Sequence, residues 1–150
     1  MPRIERTAEL SWEGNAARGS GTITAATGAF TALPYSQPAR IARAADADKT
    51  SPEELLAAAH GACLTMSLAT ELSKDGTPPG RLSSSVLIVM DEVVGEGHQI
   101  TESHVRISAE VEGADAAALA AAVERADAGC PFSKLLRKAG VVVDVALASP

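Results

Sequence analysis

Aromatic residues are scarce in this sequence, at 3% of 150 residues, so aliphatic side chains must supply most of a core drawn from 46% apolar residues. The net charge is −6 and no basic block is present, which argues against nucleic acid and anionic membranes as partners. The amino-terminal segment has no apolar signal core, and no apolar run approaches the ~18 residues expected of a membrane span. These absences predict a cytoplasmic protein, and the length suits a single domain over residues 1–150.

Patterns that bind common cofactors are also missing. The sequence has no glycine-rich phosphate loop and no dinucleotide fingerprint. Its three histidines and two cysteines do not have the spacing of a zinc site. We therefore expect neither a cofactor nor a metal. The two cysteines are Cys63 and Cys130, and in a cytoplasmic protein such a pair is more often catalytic or free than a structural disulfide.

The order of patterns predicts an α+β fold. Short strands are expected at 7–12, 21–26 and 30–33, followed by a polar loop over 34–49. A long helix then begins with Ser51 as N-cap, Pro52 as first residue and Glu54 as the reciprocal cap partner, and it ends before the turn at 75–79. The remaining elements are antiparallel strands at 85–94 and 105–111 joined by a glycine hairpin, a helix capped by Asp115, a short helix at 131–138 and a last strand at 141–147.

The two cysteines differ in their local setting. Cys130 precedes Pro131 at a helix start, where free N–H groups and the helix dipole favour a thiolate. Cys63 lies in the middle of the long helix, without a helix end of its own, so a reactive Cys63 would need a cation brought from elsewhere. Local physics thus favours Cys130 as the nucleophile. A small buried core residue at Cys63 and a substitute N-cap at Cys130 are the alternative interpretations.

Two neighbours of Cys63 on its helix are candidates for chemistry. His60 is three residues before Cys63 and shares its helix face, so a Cys–His dyad of the hydrolase kind is one alternative. A packing or hydrogen-bonding role is the other, since no Asn or Asp stands nearby to orient the ring. Glu53 is not needed for the cap, although a carboxylate in a first helical turn is common.

Four sets of segments together resemble one known family. They are Trp12-Glu13-Gly14 with Gly19-Ser20-Gly21, Pro34-Tyr35 with Arg40, Ser51-Pro52-Glu53-Glu54-Leu55 through His60-Gly61-Ala62-Cys63, and Cys130-Pro131 with Ser133-Lys134-Leu135-Leu136. This set resembles the OsmC/Ohr family of osmotically inducible and organic hydroperoxide resistance proteins. The spacing from Glu53 to Cys63 is its most specific element. His60 and the Trp-Glu-Gly segment are more similar to the OsmC branch.

The resemblance implies an OsmC-like fold in an intertwined homodimer, and a thiol-dependent peroxidase acting on organic hydroperoxides, with hydrogen peroxide as a further candidate. It assigns Cys63 as the peroxidatic thiol and Cys130 as the resolving thiol, which reverses the local assignment. Arg40 would supply the cation for Cys63, and Glu53 would hold its guanidinium. The loop after Arg40 looks longer than is typical of the family, which leaves Arg43 as the alternative cation.

The resemblance also implies an external reductant, a dithiol of the lipoyl type, for the Cys63–Cys130 disulfide. Ten residues separate Glu53 from Cys63, about 15 Å along one straight helix, so we expect each site to be shared between two chains. A helix break before Cys63 is the alternative arrangement. A non-enzymatic redox sensor or binding module is the alternative function.

Overall fold

The computed structural model describes residues 3–148 and confirms the α+β class. Its residues fall into two compact units, one that ends at Leu55 and one that begins at Leu56. The prediction that residues 1–150 form a single domain stays a prediction.

The first unit contains a small antiparallel sheet. Its strands are β1 (Ala8–Glu13), β2 (Ser20–Ala25) and β3 (Leu33–Tyr35), in that spatial order. The predicted third strand at 30–33 was wrong in its bounds. Ala32 has a positive φ of 52°, which belongs to a turn, and the strand begins after it. Pro34 then lies within β3, as is typical of an edge strand, where one neighbour pairs with the backbone.

The predicted loop at 34–49 was also wrong, because it contains helical turns. Helix α1 runs over Gln37–Ile41, and a 3₁₀ turn follows at Ala44–Asp46. The Ser36 hydroxyl accepts a hydrogen bond from the Ala39 N–H at 3.2 Å, and Pro38 stands in the first turn. A serine cap followed by an early proline is a helix start signal, and it places Arg40 on α1.

Helix α2 spans Pro52–Lys74 without a break. Ser51 caps it as predicted, since its hydroxyl accepts from the Glu54 N–H at 3.2 Å. The predicted reciprocal cap bond of Glu54 is not the one observed, because the Glu54 carboxylate accepts a hydrogen bond from the Thr50 hydroxyl at 3.0 Å. At the other end the Thr77 N–H bonds to the Leu72 carbonyl at 3.0 Å, with a glycine at positive φ between them, so the predicted stop is confirmed.

The second unit contains the larger sheet and the remaining helices. These elements are β4 (Arg81–Val93), β5 (Gly97–Glu110), α3 (Ala116–Gly129), α4 (Pro131–Lys138) and β6 (Val142–Leu147). The predicted hairpin joins β4 and β5, which are longer than the sequence indicated, and β6 pairs in parallel with β5. The register shifts by one residue opposite Val89 and Met90, which leaves Thr101 as the extra residue of a β-bulge.

One stripe of α2 forms the centre of the core in the second unit. Leu64, Leu68 and Leu72 recur every four residues and are at most 1% exposed. They belong to one apolar cluster with residues of β5 and α3, namely Val105, Ile107, Ala122, Val123 and Ala126. Cys130 is part of the same cluster, and Cys63 packs against it. The core therefore fixes both cysteines relative to each other.

Helix α2 contradicts the expectation that no segment approaches the length of a membrane span. Helix α2 has 23 residues, and an 18-residue window within it has a mean hydropathy of 1.3, so by length and composition it is long and apolar enough to cross a membrane. In the structure, 28% of that window is buried. A core helix of a soluble protein passes the same test. On the face opposite the buried leucines, Ala58, Ala62, Met66 and Thr70 recur every four residues and are exposed.

Candidate active site

The structure brings the two cysteines together. Cys63 lies on α2, whereas Cys130 joins α3 to α4 as the residue before Pro131. Both are free, and their thiols are hydrogen-bonded to each other. Cys130 is 0% exposed, while Cys63 is half-buried. A small molecule from solvent therefore reaches Cys63 more readily than Cys130.

The backbone holds Cys130 in place. Its N–H donates to the Ala126 carbonyl at 2.8 Å, which closes the last turn of α3. Its carbonyl accepts from the Lys134 N–H at 3.1 Å, which opens α4. The Cys130 side chain makes no cap hydrogen bond. The thiol is thus left for Cys63 and does not serve as a substitute N-cap.

Cys63 also contacts the start of α4, which corrects the expectation that it has no help from a helix end. Its sulfur accepts a hydrogen bond from the Phe132 N–H, one of the free donors in the first turn of α4. Burial nevertheless raises the pKa of the Cys63 thiol, and the hydrogen bond with Cys130 raises it further, whereas the Phe132 N–H lowers it. The net pKa is raised, so these contacts alone do not make Cys63 a thiolate at neutral pH.

His60 sits in a buried polar network that the sequence analysis missed. Its Nδ1 lies 2.8 Å from the Ser103 hydroxyl on β5, and its Nε2 lies 2.9 Å from the Ser133 hydroxyl on α4. All three residues are 0% exposed. Burial lowers the pKa of His60, so the ring is neutral near pH 7. One serine must then donate to the ring and the other must accept from it.

The network argues against the Cys–His dyad. A general base needs a ring nitrogen directed at the nucleophile, but both nitrogens of His60 bond to serine hydroxyls. The sequence signal was weak, because serine is an ordinary residue in strands and helices. Ser103 does alternate with the buried Val105 and Ile107 along β5, which is the pattern of an inward position.

Arg40 and Glu53 form a close ion pair in the first unit. The Arg40 Nε lies 3.0 and 3.1 Å from the two Glu53 carboxylate oxygens, and Nη2 lies 2.5 Å from Oε1. Their side chains are 32% and 15% exposed. Burial is the largest single influence on Glu53 and opposes its charge. The hydrogen bonds and charge of Arg40, together with hydrogen bonds from the Glu53 backbone and Ser51, outweigh it and hold the Glu53 pKa below its ordinary value. The same hydrogen bonds raise the pKa of Arg40.

Arg43 has a different setting. It pairs with Asp46 at 2.7 Å, three residues further along the chain, and its side chain is 86% exposed. An exposed pair of this kind contributes little and is screened by salt. Of the two arginines, Arg40 is the one that a residue of α2, Glu53, holds in place.

The other histidines, His98 and His104, lie on β5. The ring of His104 hydrogen-bonds to Glu102 at 2.5 Å and to Asp144 at 3.3 Å, and these carboxylates raise the pKa of His104. Among residues 3–148, no group of three or more His, Cys, Asp or Glu side chains is arranged to hold a metal ion.

Comparison with known proteins finds a family and close sequence relatives. The model of the family described as "OsmC-like protein" matches residues 45–146. The chain is 33% identical over 147 residues to Peroxiredoxin OsmC of Escherichia coli, covering 97% of this chain and 99% of the relative. Peroxiredoxin OsmC of Shigella flexneri matches with the same identity and coverage.

Solved structures share the fold. The organic hydroperoxide resistance protein OhrB of Bacillus subtilis superposes with a TM-score of 0.70 at 24% identity, over 95% of this chain and 98% of that one. An OsmC-like protein of unknown function from Vibrio cholerae superposes with a TM-score of 0.76 at 14% identity, over 97% of this chain and 100% of that one.

Proposed function

The chain belongs to the OsmC-like protein family, and from this premise we propose that it is a thiol-dependent peroxidase that reduces organic hydroperoxides, with hydrogen peroxide as a further substrate. The observation that carries the proposal is the contact between two free thiols, of which one is half-buried and the other fully buried. Its relatives in E. coli and S. flexneri bear the name peroxiredoxin.

Cys63 is the peroxidatic thiol in this proposal and Cys130 the resolving thiol. The Cys63 thiolate attacks one peroxide oxygen, the O–O bond breaks, and the departing alkoxide takes up a proton to leave as an alcohol. Cys63 is thereby oxidised to a sulfenic acid. The Cys130 thiol then attacks the sulfenic sulfur, water leaves, and a disulfide forms. The contact between the two thiols supports this step because it requires little movement of α2 or α4.

Arg40 activates Cys63. The contacts of Cys63 within the second unit leave its pKa raised, so a thiolate at neutral pH needs a positive charge from elsewhere. The guanidinium of Arg40 is held by both carboxylate oxygens of Glu53, which fixes its plane and direction. The same charge stabilises the alkoxide as it departs. Arg43 is the weaker candidate, because its ion pair with Asp46 is exposed.

Each active site is shared between two chains of a homodimer. Helix α2 is continuous from Pro52 to Lys74, so Glu53 and Cys63 are separated by about 15 Å along its axis. Antiparallel pairing of two α2 helices would place Glu53 of one chain near Cys63 of the other. The exposed stripe of Ala58, Ala62, Met66 and Thr70 supports this pairing, because small and apolar residues allow two helices to approach closely.

An external dithiol of the lipoyl type completes the cycle. It reduces the Cys63–Cys130 disulfide to two thiols and is itself oxidised to a cyclic disulfide. A cytoplasmic location fits this chemistry, since that compartment supplies reductant. The proposal includes neither nucleic acid nor a membrane as partner, in keeping with the net charge of −6.

The test is peroxide consumption in the presence of dihydrolipoyl and monothiol reductants, with alkyl hydroperoxides and hydrogen peroxide compared side by side. We expect many turnovers per chain with the dithiol, and none for Cys63→Ser. Arg40→Ala should slow turnover, and Arg43→Ala is its matched control, since both variants remove an arginine from the same segment. Consumption of about one peroxide per chain, with no further turnover, would instead indicate a redox sensor.

A further inference from the structure

The His60 network connects the same two helices that carry the cysteines. On α2, His60 precedes Cys63 by three residues, close to one helical turn, so the two side chains emerge on the same side. On α4, Ser133 lies in the first turn, three residues after Cys130. The hydrogen bond of 2.9 Å between His60 and Ser133 therefore runs beside the contact of Cys63 with Cys130.

We propose that His60 is a positioning residue, which acts through Ser133 to hold the first turn of α4 against Cys63. That turn carries the two groups that Cys63 contacts, the Phe132 N–H and the Cys130 thiol. The inference rests on the proposed function in one respect only. In catalysis, the hold of His60 on α4 sets the distance over which the Cys63–Cys130 disulfide closes.

The fully buried state of the network supports this role. A buried imidazole with both nitrogens satisfied has few alternative arrangements, because any movement of α4 would break a hydrogen bond away from water. The other ring nitrogen, Nδ1, is hydrogen-bonded with the Ser103 hydroxyl on β5. Ser103 makes no link to α4, so it offers a matched variant on the same ring.

The aliphatic core is not sufficient for this purpose. The buried leucines of α2 hold it against β5 and α3, but apolar contacts are non-directional and tolerate small shifts. A hydrogen bond from the Phe132 N–H to sulfur weakens steeply when its angle changes. The directional bond between His60 and Ser133 restrains the angle that the Phe132 N–H makes with Cys63.

The experiment compares Ser133→Ala with Ser103→Ala in the full-length reduced protein. Each variant removes one of the two buried hydroxyls that are hydrogen-bonded to the His60 imidazole. The readout is the pH dependence of alkylation at Cys63, measured by mass spectrometry. Trypsin places Cys63 and Cys130 in different peptides, because Lys74 and Arg125 lie between them. We expect the Cys63 profile to move to lower pH by about half a unit in Ser133→Ala, because the contact with Cys130, which raises the Cys63 pKa more than the Phe132 N–H lowers it, loosens with the same turn. The profile should stay unchanged in Ser103→Ala.

Disulfide closure provides a second readout. After one equivalent of tert-butyl hydroperoxide, conversion of the Cys63 sulfenic acid to the disulfide should be about fivefold slower in Ser133→Ala, the effect of losing one net hydrogen bond. Ser103→Ala should close at the wild-type rate. Equal changes in the two variants would overturn the proposal, because they would reflect a general loss of packing. No change in Ser133→Ala would overturn it as well, because the hydrogen bond from His60 to α4 would then have no role.

A further variant covers the possibility that Ser133→Ala does not fold. The triple variant His60→Leu, Ser103→Ala, Ser133→Ala removes every partner together and leaves no buried polar group of the network unsatisfied. It should show the same downward shift at Cys63, and a wild-type profile would overturn the proposal. Alkylation requires no peroxide turnover, so a protein that lacks peroxidase activity would contradict the proposed function while leaving this test intact.

Discussion

Gly61 allows α2 to approach β4 closely, and its replacement by alanine tests this packing. A Cβ atom built at Gly61 would lie 2.9 Å from Val86 Cγ2 and 3.4 Å from the Ser84 hydroxyl. The first distance is shorter than real Cβ contacts, so one of the two elements must shift. Gly61 directly follows His60, so such a shift would also move the network described above.

Two effects of opposite sign determine the magnitude. Alanine in a helix interior is more favourable than glycine by about 1 kcal/mol. Overpacking a filled site costs roughly 1–3 kcal/mol, and Val86 yields poorly because a β-branched side chain has few rotamers. We expect Gly61→Ala to lower the free energy of unfolding by about 1 kcal/mol. In a Val86→Ala background the clash is absent, so Gly61→Ala should raise the free energy of unfolding by about 1 kcal/mol.

A double-mutant cycle measured by denaturant unfolding at one protein concentration checks this prediction. The expected coupling between Gly61→Ala and Val86→Ala is about 2 kcal/mol, with a change of sign between the two backgrounds. Gly129→Ala is the control, because its Cβ would meet nothing within 4 Å at the end of α3. If Gly61→Ala stabilises the protein equally in both backgrounds, the close approach of α2 to β4 is not a constraint.

Three further predictions concern the two arginines, the shared site and His104. Arg40→Ala should move the alkylation profile of Cys63 to higher pH, whereas Arg43→Ala should leave it unchanged; equal profiles would mean that neither arginine activates the thiol. Refolding a mixture of Glu53→Ala and Cys63→Ser chains should restore one intact site per heterodimer and measurable peroxidase activity; heterodimers without activity would contradict the shared site. His104 has a raised pKa, so its contribution to stability is present below its ordinary pKa and is lost as pH rises through the raised value. Between about pH 6 and 8, wild type should therefore lose more stability than His104→Gln, and parallel unfolding curves would contradict this.

Local sequence signals predicted the elements that depend on neighbouring residues. Ser51 and Pro52 marked the start of α2, and Asp115 caps α3 through the Ala118 N–H at 2.8 Å, as its position before an Ala-rich run indicated. Ser36 followed by Pro38 is the same type of signal, and it marks the start of α1 within a segment whose polar, proline-bearing composition favours a loop. The cap and the composition indicate different structures there, and the structure follows the cap.

The environment of Cys63 could not be read from its own helix. Its hydrogen bond comes from the Phe132 N–H, which the fold brings from a distant segment, so local physics wrongly left Cys63 without a helix end. The His60 partners were also hidden, because Ser103 and Ser133 resemble ordinary strand and helix residues until the tertiary structure joins them. The family resemblance supplied the assignment of the thiols that periodicity and capping did not.

The assignment of Cys63 as the peroxidatic thiol is tested most directly by mass spectrometry after one equivalent of an alkyl hydroperoxide. We predict that Cys130→Ser gains roughly 16 Da, the mass of one oxygen, on the peptide that contains Cys63, because a sulfenic acid forms and has no resolving thiol. Cys63→Ser should remain unmodified and should consume no peroxide. Oxidation of Cys130 in Cys63→Ser, with peroxide turnover retained, would contradict the account and make Cys130 the nucleophile.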